Sequence, residues 1–360
     1  MDICPAILCT IKKKRVGRKK AKKKVKHMKT IVFVGNHKNF SGLRLGTRLA
    51  HVLAEKGQDT VLAGIKGKLP KHTKLATLEF AAAAKAKSMA ETFKKAGADR
   101  VISLVSLPAC EAAALAGLPY IYCEPENFKE EKAVKNKKAL LKKAEKVVVI
   151  GKGDKTLDKK LYASNAVRTA NPAVWVEHYN YDKPACFKKE NNIVAAGKLA
   201  KSGGFDVLLK TWARLAPAHG TWHLTIVGDG VNKAALKKFI EKNGLSESTE
   251  IVPADSDLYS LLRNADIYVS PAREAEGLDE LLDAMASKLP VVATDVAGAD
   301  ELVANAVSGL LVNAGEEEPL TVALDDLMVN WGKRVGMAIE ASHMKDRFPF
   351  DAFAALFDEE

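Results

Sequence analysis

The 360-residue sequence predicts an α/β protein built of two doubly wound units in tandem. Three observations carry that expectation. From Met28 onward, short β-branched runs alternate with Ala/Leu/Lys helical stretches, the pattern of parallel sheets covered by helices. The rhythm breaks at the polar, proline-containing "YDKPACFKKENN" of residues 181–192 and then restarts. A hydrophobic content of 47% over this length is enough to bury two cores.

Taken in order, "TIVFVG" (30–35) reads as a first strand, followed by a loop holding Gly35 and Gly42. Residues 43–57 place Leu45, Leu49, Val52 and Leu53 on one helical face and stop at Gly57, a suitable C-cap. Further strands are expected at 59–64, 100–105, 119–123 and 146–150, with helices between them, among which 81–97 is a clear Ala/Lys helix. After the linker come strands at 193–196, 222–227, 249–252, 266–270 and 290–294. Helices at 205–215, 232–243, 257–264 and 279–287 separate them. The tail "FPFDAFAALFDEE" (348–360) is an amphipathic helix with Phe350, Phe353, Leu356 and Phe357 free to dock. This divides the chain into a basic tail at 1–27, a first domain at 28–186 and a second at 187–341. Tandem doubly wound units hold their ligands in the cleft outside the carboxyl ends of the strands.

The formal net charge of +12 is concentrated at one end. Residues 12–26, "KKKRVGRKKAKKKVK", hold eleven Lys or Arg and no acid, so the first 27 residues carry about +10 and the other 333 about +2. Like-charge repulsion and a low apolar content make that tail disordered by expectation, and the body offers no basic binding face. Five cysteines (Cys4, Cys9, Cys110, Cys123 and Cys186) include no CxxC pair and are odd in number. That argues against a disulfide framework or a zinc site and for a reducing compartment. The eight histidines form no HxxxH, HExxH or His/Cys cluster, so no metal and no cofactor is expected. No apolar run approaches the roughly 20 residues of a membrane-spanning helix. The opening "MDICPAILCTI" has its positive charge on the wrong side for a secretory signal, and the expected location is the cytoplasm.

A series of stretches in the second half, in order, resembles the retaining family 4 glycosyltransferases of GT-B fold. These are "AAGKLAKSGGFDVLLKTWARL", "WHLTIVGDG", "LLRNADIYVSPA", the acidic "REAEGLDELLDAMA" and "LPVVATDVAGADELVANAVSGLLV", covering about residues 190–315. Weaker support comes from "FSGLRLGTRLAHVLAEKG" and "FPFDAF". The resemblance implies two Rossmann-like domains, the first for the acceptor and the second for a nucleotide sugar, with a C-terminal helix at 342–360 crossing back to the first.

In that family, the acidic turn and helix carry two glutamates eight positions apart, one reaching the transferred sugar and one the nucleotide ribose. Counted from Pro271, the first place falls on Ala275, between Glu274 and Glu276, and the second on Asp283, one methylene short. The family's Arg and Lys in the diphosphate loop correspond to Lys198 and Gly203, with Lys201 in the same loop. Gly203 and Gly204 let backbone approach a phosphate at a helix start. The resemblance thus implies catalytic roles for Lys198, Lys201 and Glu276. Substrate contacts would come from Asp283, Gly203, Gly204 and Glu274, from Gly42 in the "GNHKNFSG" loop (35–42), and from Glu301 after the last expected strand.

Each of these residues also has a plainer reading. Acids in a helix's first turn favour its macrodipole by about 0.3–1 kcal/mol each. Asp279, Glu280 and Asp283 share one polar face opposite Leu281, Leu282 and Met285. Lys198 and Lys201 would be ordinary surface lysines in a chain with 56 Lys and Arg, and "GNHKNFSG" a plain strand-to-helix connection.

The function that the resemblance implies is metal-independent, retaining transfer of a hexosyl-type sugar from a nucleotide-diphosphate donor to the hydroxyl of a glycan or lipid-linked acceptor. Its setting would be the synthesis of cell-envelope glycan or lipopolysaccharide. Two alternatives stay open. One is a protein of the same fold that has lost transfer and serves as a binding or partner subunit. The other is an RNA- or membrane-associated protein acting through residues 12–26. There each cation near an anionic leaflet contributes about 1 kcal/mol, which would make the protein peripheral on the membrane's inner face. The tail has no aromatic side chain on which bases could stack, so no specific nucleic acid is expected.

Overall fold

Strand β1 (Lys29–Val34) runs through the middle of the first sheet, and its apolar run "TIVFV" is buried from Thr30 onward. A strand buried on both faces has no polar side to alternate with, which is why the run is continuous. In the computed structural model, the described residues are 28–35, 40–66, 69, 74–125, 137–150, 167–170, 191–254, 256–274 and 277–358. The basic tail, most of the expected linker, Ala275 and Glu276 lie outside them.

After β1 come α1 (Phe40–Glu55), β2 (Asp59–Ile65), β3 (Ala76–Phe80), α2 (Ala86–Lys95), β4 (Arg100–Leu104) and α3 (Leu107–Ala116). They are followed by β5 (Tyr120–Pro125), α4 (Lys137–Lys143), β6 (Lys146–Ile150) and β7 (Val167–Ala170). The strands form one parallel sheet in the order β3-β2-β1-β4-β5-β6-β7, with Val32 registered on Leu62 and Ile102. The chain reverses its direction of travel across the sheet at β1 and β4.

The second unit contains β8 (Asn192–Lys198), α5 (Phe205–Leu215), β9 (His223–Asp229), α6 (Lys233–Lys242), β10 (Thr249–Val252), α7 (Leu258–Arg263) and β11 (Ile267–Ser270). Then come α8 (Leu278–Ala286), β12 (Val291–Thr294), α9 (Ala299–Leu302), β13 (Gly309–Val312) and α10 (Glu317–Val329). Its parallel sheet has the order β10-β9-β8-β11-β12-β13, so the switch point lies between β8 and β11. The protein therefore has the two tandem doubly wound domains that the sequence predicts.

Three strands do not stand out in the sequence: β3, β7 and β13, each at a sheet edge. An edge strand buries less of its surface, so its apolar pattern is weak; of "ATLEF" only Phe80 is buried. The helix expected over 81–97 starts only at Ala86, because β3 runs to Phe80 and residues 81–85 turn the chain back. Phe80 packs on Phe33 and Phe93 at ring distances of 5.6 and 5.8 Å, and that burial overrides the helix propensity of the alanines. Helix α1 begins at Phe40, so Gly42 lies in its first turn and not in the preceding loop.

The chain's last elements, α11 (Trp331–Ser342), α12 (Met344–Arg347) and α13 (Phe350–Ala354), link the two units. Met344 and Phe348 join the core of the second domain around Leu281 and Leu282. Pro349 then breaks the helix, and Phe350, Phe353 and Phe357 enter the first domain's core beside Leu45, Leu49 and Leu53. Fully burying each such ring contributes about 1.5–3 kcal/mol. Polar anchors accompany them: Arg100 Nη2 donates to the Phe357 carbonyl at 2.8 Å, and Lys146 Nζ to that of Leu356 at 2.9 Å. The crossing helix is thus real, but it is shorter than the expected 342–360 and is divided at the proline.

Candidate functional site

The carboxyl ends of β8 and β11 carry two loops that close on each other at the switch point. Strand β8 ends at Lys198, and residues 201–203 make one 3-10 turn before α5. Strand β11 ends at Ser270 and leads through 271–274 toward α8. The backbone N–H of Arg273 donates to the Ser202 carbonyl at 2.7 Å, which fastens one loop to the other.

Glycine is required at both positions ahead of α5. A Cβ on Gly203 would lie 2.2 Å from the Lys198 carbonyl oxygen. Gly204 has φ +70°, and a Cβ there would lie 1.7 Å from the Pro271 carbonyl oxygen. No side chain fits at either distance, and the left-handed backbone at Gly204 is one that glycine adopts without strain. The result is a bare backbone turn opening an 11-residue helix, the arrangement whose outward N–H groups receive anions. Lys198 and Lys201 flank this turn and are exposed.

Arg273 crosses from the second loop to α5. Its Nη1 and Nη2 donate to the two carboxylate oxygens of Asp206 at 2.6 and 2.8 Å, and Nη1 also donates to the Lys201 carbonyl at 2.8 Å. Hydrogen bonding to Arg273 is the main reason the Asp206 carboxyl titrates below the usual carboxylate range; partial burial opposes it. In return, Asp206 raises the already high pKa of Arg273. Arg273 is the only cationic side chain between Asp266 and Ser287, a signal in the sequence that could have marked it.

Helix α8 departs from the polar-face reading. Asp283 is 1% exposed and Glu280 2%, because α8 is covered on the side that the sequence pattern assigns to solvent. Asp283 Oδ2 accepts from Arg48 Nη2 of α1 at 2.7 Å, and Arg48 is itself 4% exposed. The same Nη2 donates to the hydroxyl of Tyr259 in α7, over whose ring the guanidinium lies with its carbon 5.2 Å from the centroid. This buried charge is therefore compensated across the domain boundary. Glu280 lies beneath the turn into α8, its Oε2 3.8 Å from where a Cβ on Gly277 would be.

Among the residues expected at the site, Lys198, Lys201, Gly203 and Gly204 are together after β8, and Glu274 is exposed on the facing loop. Glu301 lies exposed in α9, following β12, the next strand along, and its carbonyl accepts from Arg347 Nη2 at 3.1 Å. Asp283 faces α1. Gly42 belongs to the start of α1, after the first sheet's own switch point, where the Gly35 N–H donates to the Leu104 carbonyl at 2.7 Å. Sequence reasoning missed Arg273, Asp206, Arg48 and Tyr259, which act as pairs joined only by the fold.

Two doubly wound domains, a C-terminal segment crossing back, and a bare turn beside lysines at the second switch point define the class: this is the GT-B glycosyltransferase fold. More particularly, residues 180–344 match the model of the family glycosyl transferases group 1. An uncharacterized glycosyltransferase of Haemophilus influenzae is 32% identical over 190 residues, 52% of each chain. The amylovoran biosynthesis glycosyltransferase AmsD of Erwinia amylovora is 30% identical over 193 residues, 52% of this chain and 53% of that one. The chain thus matches about half the length of these relatives. Among solved structures, Anabaena HepE, crystallised in complex with UDP-glucose, superposes with a TM-score of 0.72 at 15% identity, over 91% of this chain and 98% of that one.

Proposed function

We propose that the protein is a retaining glycosyltransferase that moves a sugar from a nucleotide-diphosphate donor to an acceptor hydroxyl, in the synthesis of a cell-envelope polysaccharide or lipopolysaccharide. One observation carries this reading: the lysine-flanked turn at 198–204 and the acidic loop after β11 are fastened together at the switch point through Arg273 and Ser202. The diphosphate binds at the bare turn. Lys198, Lys201 and the N–H groups near Gly203 and Gly204 stabilise it as negative charge develops on departure, a task that needs no metal. The anomeric carbon takes on oxocarbenium character, the acceptor oxygen attacks from the same face, and the leaving phosphate oxygen accepts its proton. Glu276 orients the sugar, with Glu274 and Glu301 as further substrate contacts. Asp283 reaches the ribose only on parting from Arg48. Orientation and charge stabilisation supply most of the rate.

The experiment is a panel of nucleotide sugars tested for thermal stabilisation and for turnover, with the product's anomeric configuration read by NMR. One donor should stabilise the protein and give a product of retained configuration. Stabilisation by none of the donors, or an inverted product, defeats the reading. A second reading is donor binding without transfer, supported by Ala275 at the family's first glutamate place and by the engagement of Asp283 with Arg48. Stabilisation without turnover would favour it. Attachment to an anionic membrane through residues 12–26 belongs to the first reading; vesicle sedimentation that falls steeply with salt tests it.

A further inference from the structure

The donor loop poses an electrostatic problem. Asp206 stands in the first turn of α5, the helix whose start is the proposed diphosphate site, and its side chain is 45% exposed. A carboxylate there repels an arriving diphosphate and cancels part of what Lys198 and Lys201 offer.

We propose that Arg273 is the positioning residue of this site: its guanidinium neutralises Asp206 and holds the 201–204 turn in the shape that receives a nucleoside diphosphate. The inference rests on the donor-site reading above. The fork geometry is what makes the neutralisation complete. Both Asp206 oxygens are taken, at 2.6 and 2.8 Å, and the same Nη1 ties down the Lys201 carbonyl. A lysine could supply the charge but not the two parallel donors. Gly315, in the turn after β13, lies close to Arg273, since a Cβ built on it would be 3.6 Å from Arg273 Nε. The β11 loop thus assists the β8 loop, not by giving a direct phosphate ligand but by removing the charge that opposes one.

The test is calorimetry on the full chain with UDP, GDP and the corresponding monophosphates. Using whichever diphosphate the unaltered chain binds, Arg273→Ala should weaken it about tenfold or more and weaken the monophosphate much less. Arg273→Lys should recover only part of the loss. Adding Asp206→Asn to Arg273→Ala should bring affinity back to within about threefold, since the uncovered carboxylate is then gone. A double variant as weak as the single one would show that Arg273 merely packs, and would overturn the proposal. If Arg273→Ala does not fold, Asp206→Asn alone decides. Affinity equal to or above that of the unaltered chain supports the proposal, and a tenfold fall overturns it. An unaltered chain that binds neither UDP nor GDP would defeat the donor-site reading and this inference with it. Tight binding that ignores all these substitutions would defeat this inference alone.

Discussion

Arg48 of α1 and Asp283 of α8 meet at 2.7 Å across the two domains, both almost completely buried. Helix α1 belongs to the first sheet's core and α8 to the second's, so the pair joins two bodies that otherwise have separate hydrophobic interiors. Tyr259 completes the cluster by accepting from Arg48 and lying under its guanidinium.

Breaking this pair from one side leaves a buried charge without compensation. Arg48→Ala should therefore cost about 3–5 kcal/mol in urea unfolding, whereas replacing both members by apolar residues, Arg48→Met with Asp283→Leu, should cost far less. Equal losses in the single and double variants would mean that the charge is solvated in some other way.

Lys198→Ala should weaken UDP or GDP about tenfold or more, since a charged hydrogen bond contributes about 1.5–3 kcal/mol. Calorimetry in the presence of a chelator checks the affinity and the absence of a metal requirement together. An unchanged affinity would place the phosphates elsewhere.

The acidic loop can be divided by two conservative changes. Glu276→Gln should cut turnover far more than Glu274→Gln, because Glu276 adjoins Gly277, the left-handed residue at φ 75° from which α8 starts. Small, equal effects would favour the reading without transfer, and activity that appears only in Ala275→Glu would establish it.

The crossing segment is expected to be a stability element of the first domain. Phe353 is packed between Phe350 and Phe357 at ring distances of 5.4 and 5.1 Å, and Phe353→Ala should cost about 3–5 kcal/mol. Hydrogen exchange should then rise first in α1 and not in α8. Uniform loosening of both domains would show that the segment is not specific to the first.

The Asp206–Arg273 pair has a defined pH signature. The carboxyl's pKa in the folded state is depressed, chiefly by the hydrogen bond from Arg273. Its contribution to stability is therefore fully present above the unfolded value of about 3.9 and is lost as pH falls through the lower folded value. The stability difference between the unaltered protein and Asp206→Asn should shrink as pH falls below the unfolded value and through the lower folded one. The effect should be small, because both groups are partly exposed and water screens them. A difference that grows on acidification would contradict the assigned direction.

Much of this molecule could be read from its sequence. The central strands showed because burial on both faces demands continuous apolar runs. The turn before α5 showed because two adjacent glycines ahead of a helix serve a backbone that must pass close to another. Edge strands such as β3 did not show, since a single buried Phe80 leaves no pattern. The pairings that define the candidate site were decided by tertiary structure alone. Arg48 and Asp283 are 235 residues apart in the chain, and Asp206 and Arg273 are 67 apart. Periodicity describes which face of its own helix a residue occupies, and on that measure Asp283 belonged to a polar face open to water. Whether such a face meets water or another domain depends on how two separately folded sheets dock. A carboxylate and a guanidinium brought together by that docking exclude water and hold each other's charge, and no local stretch of sequence contains both halves of the contact.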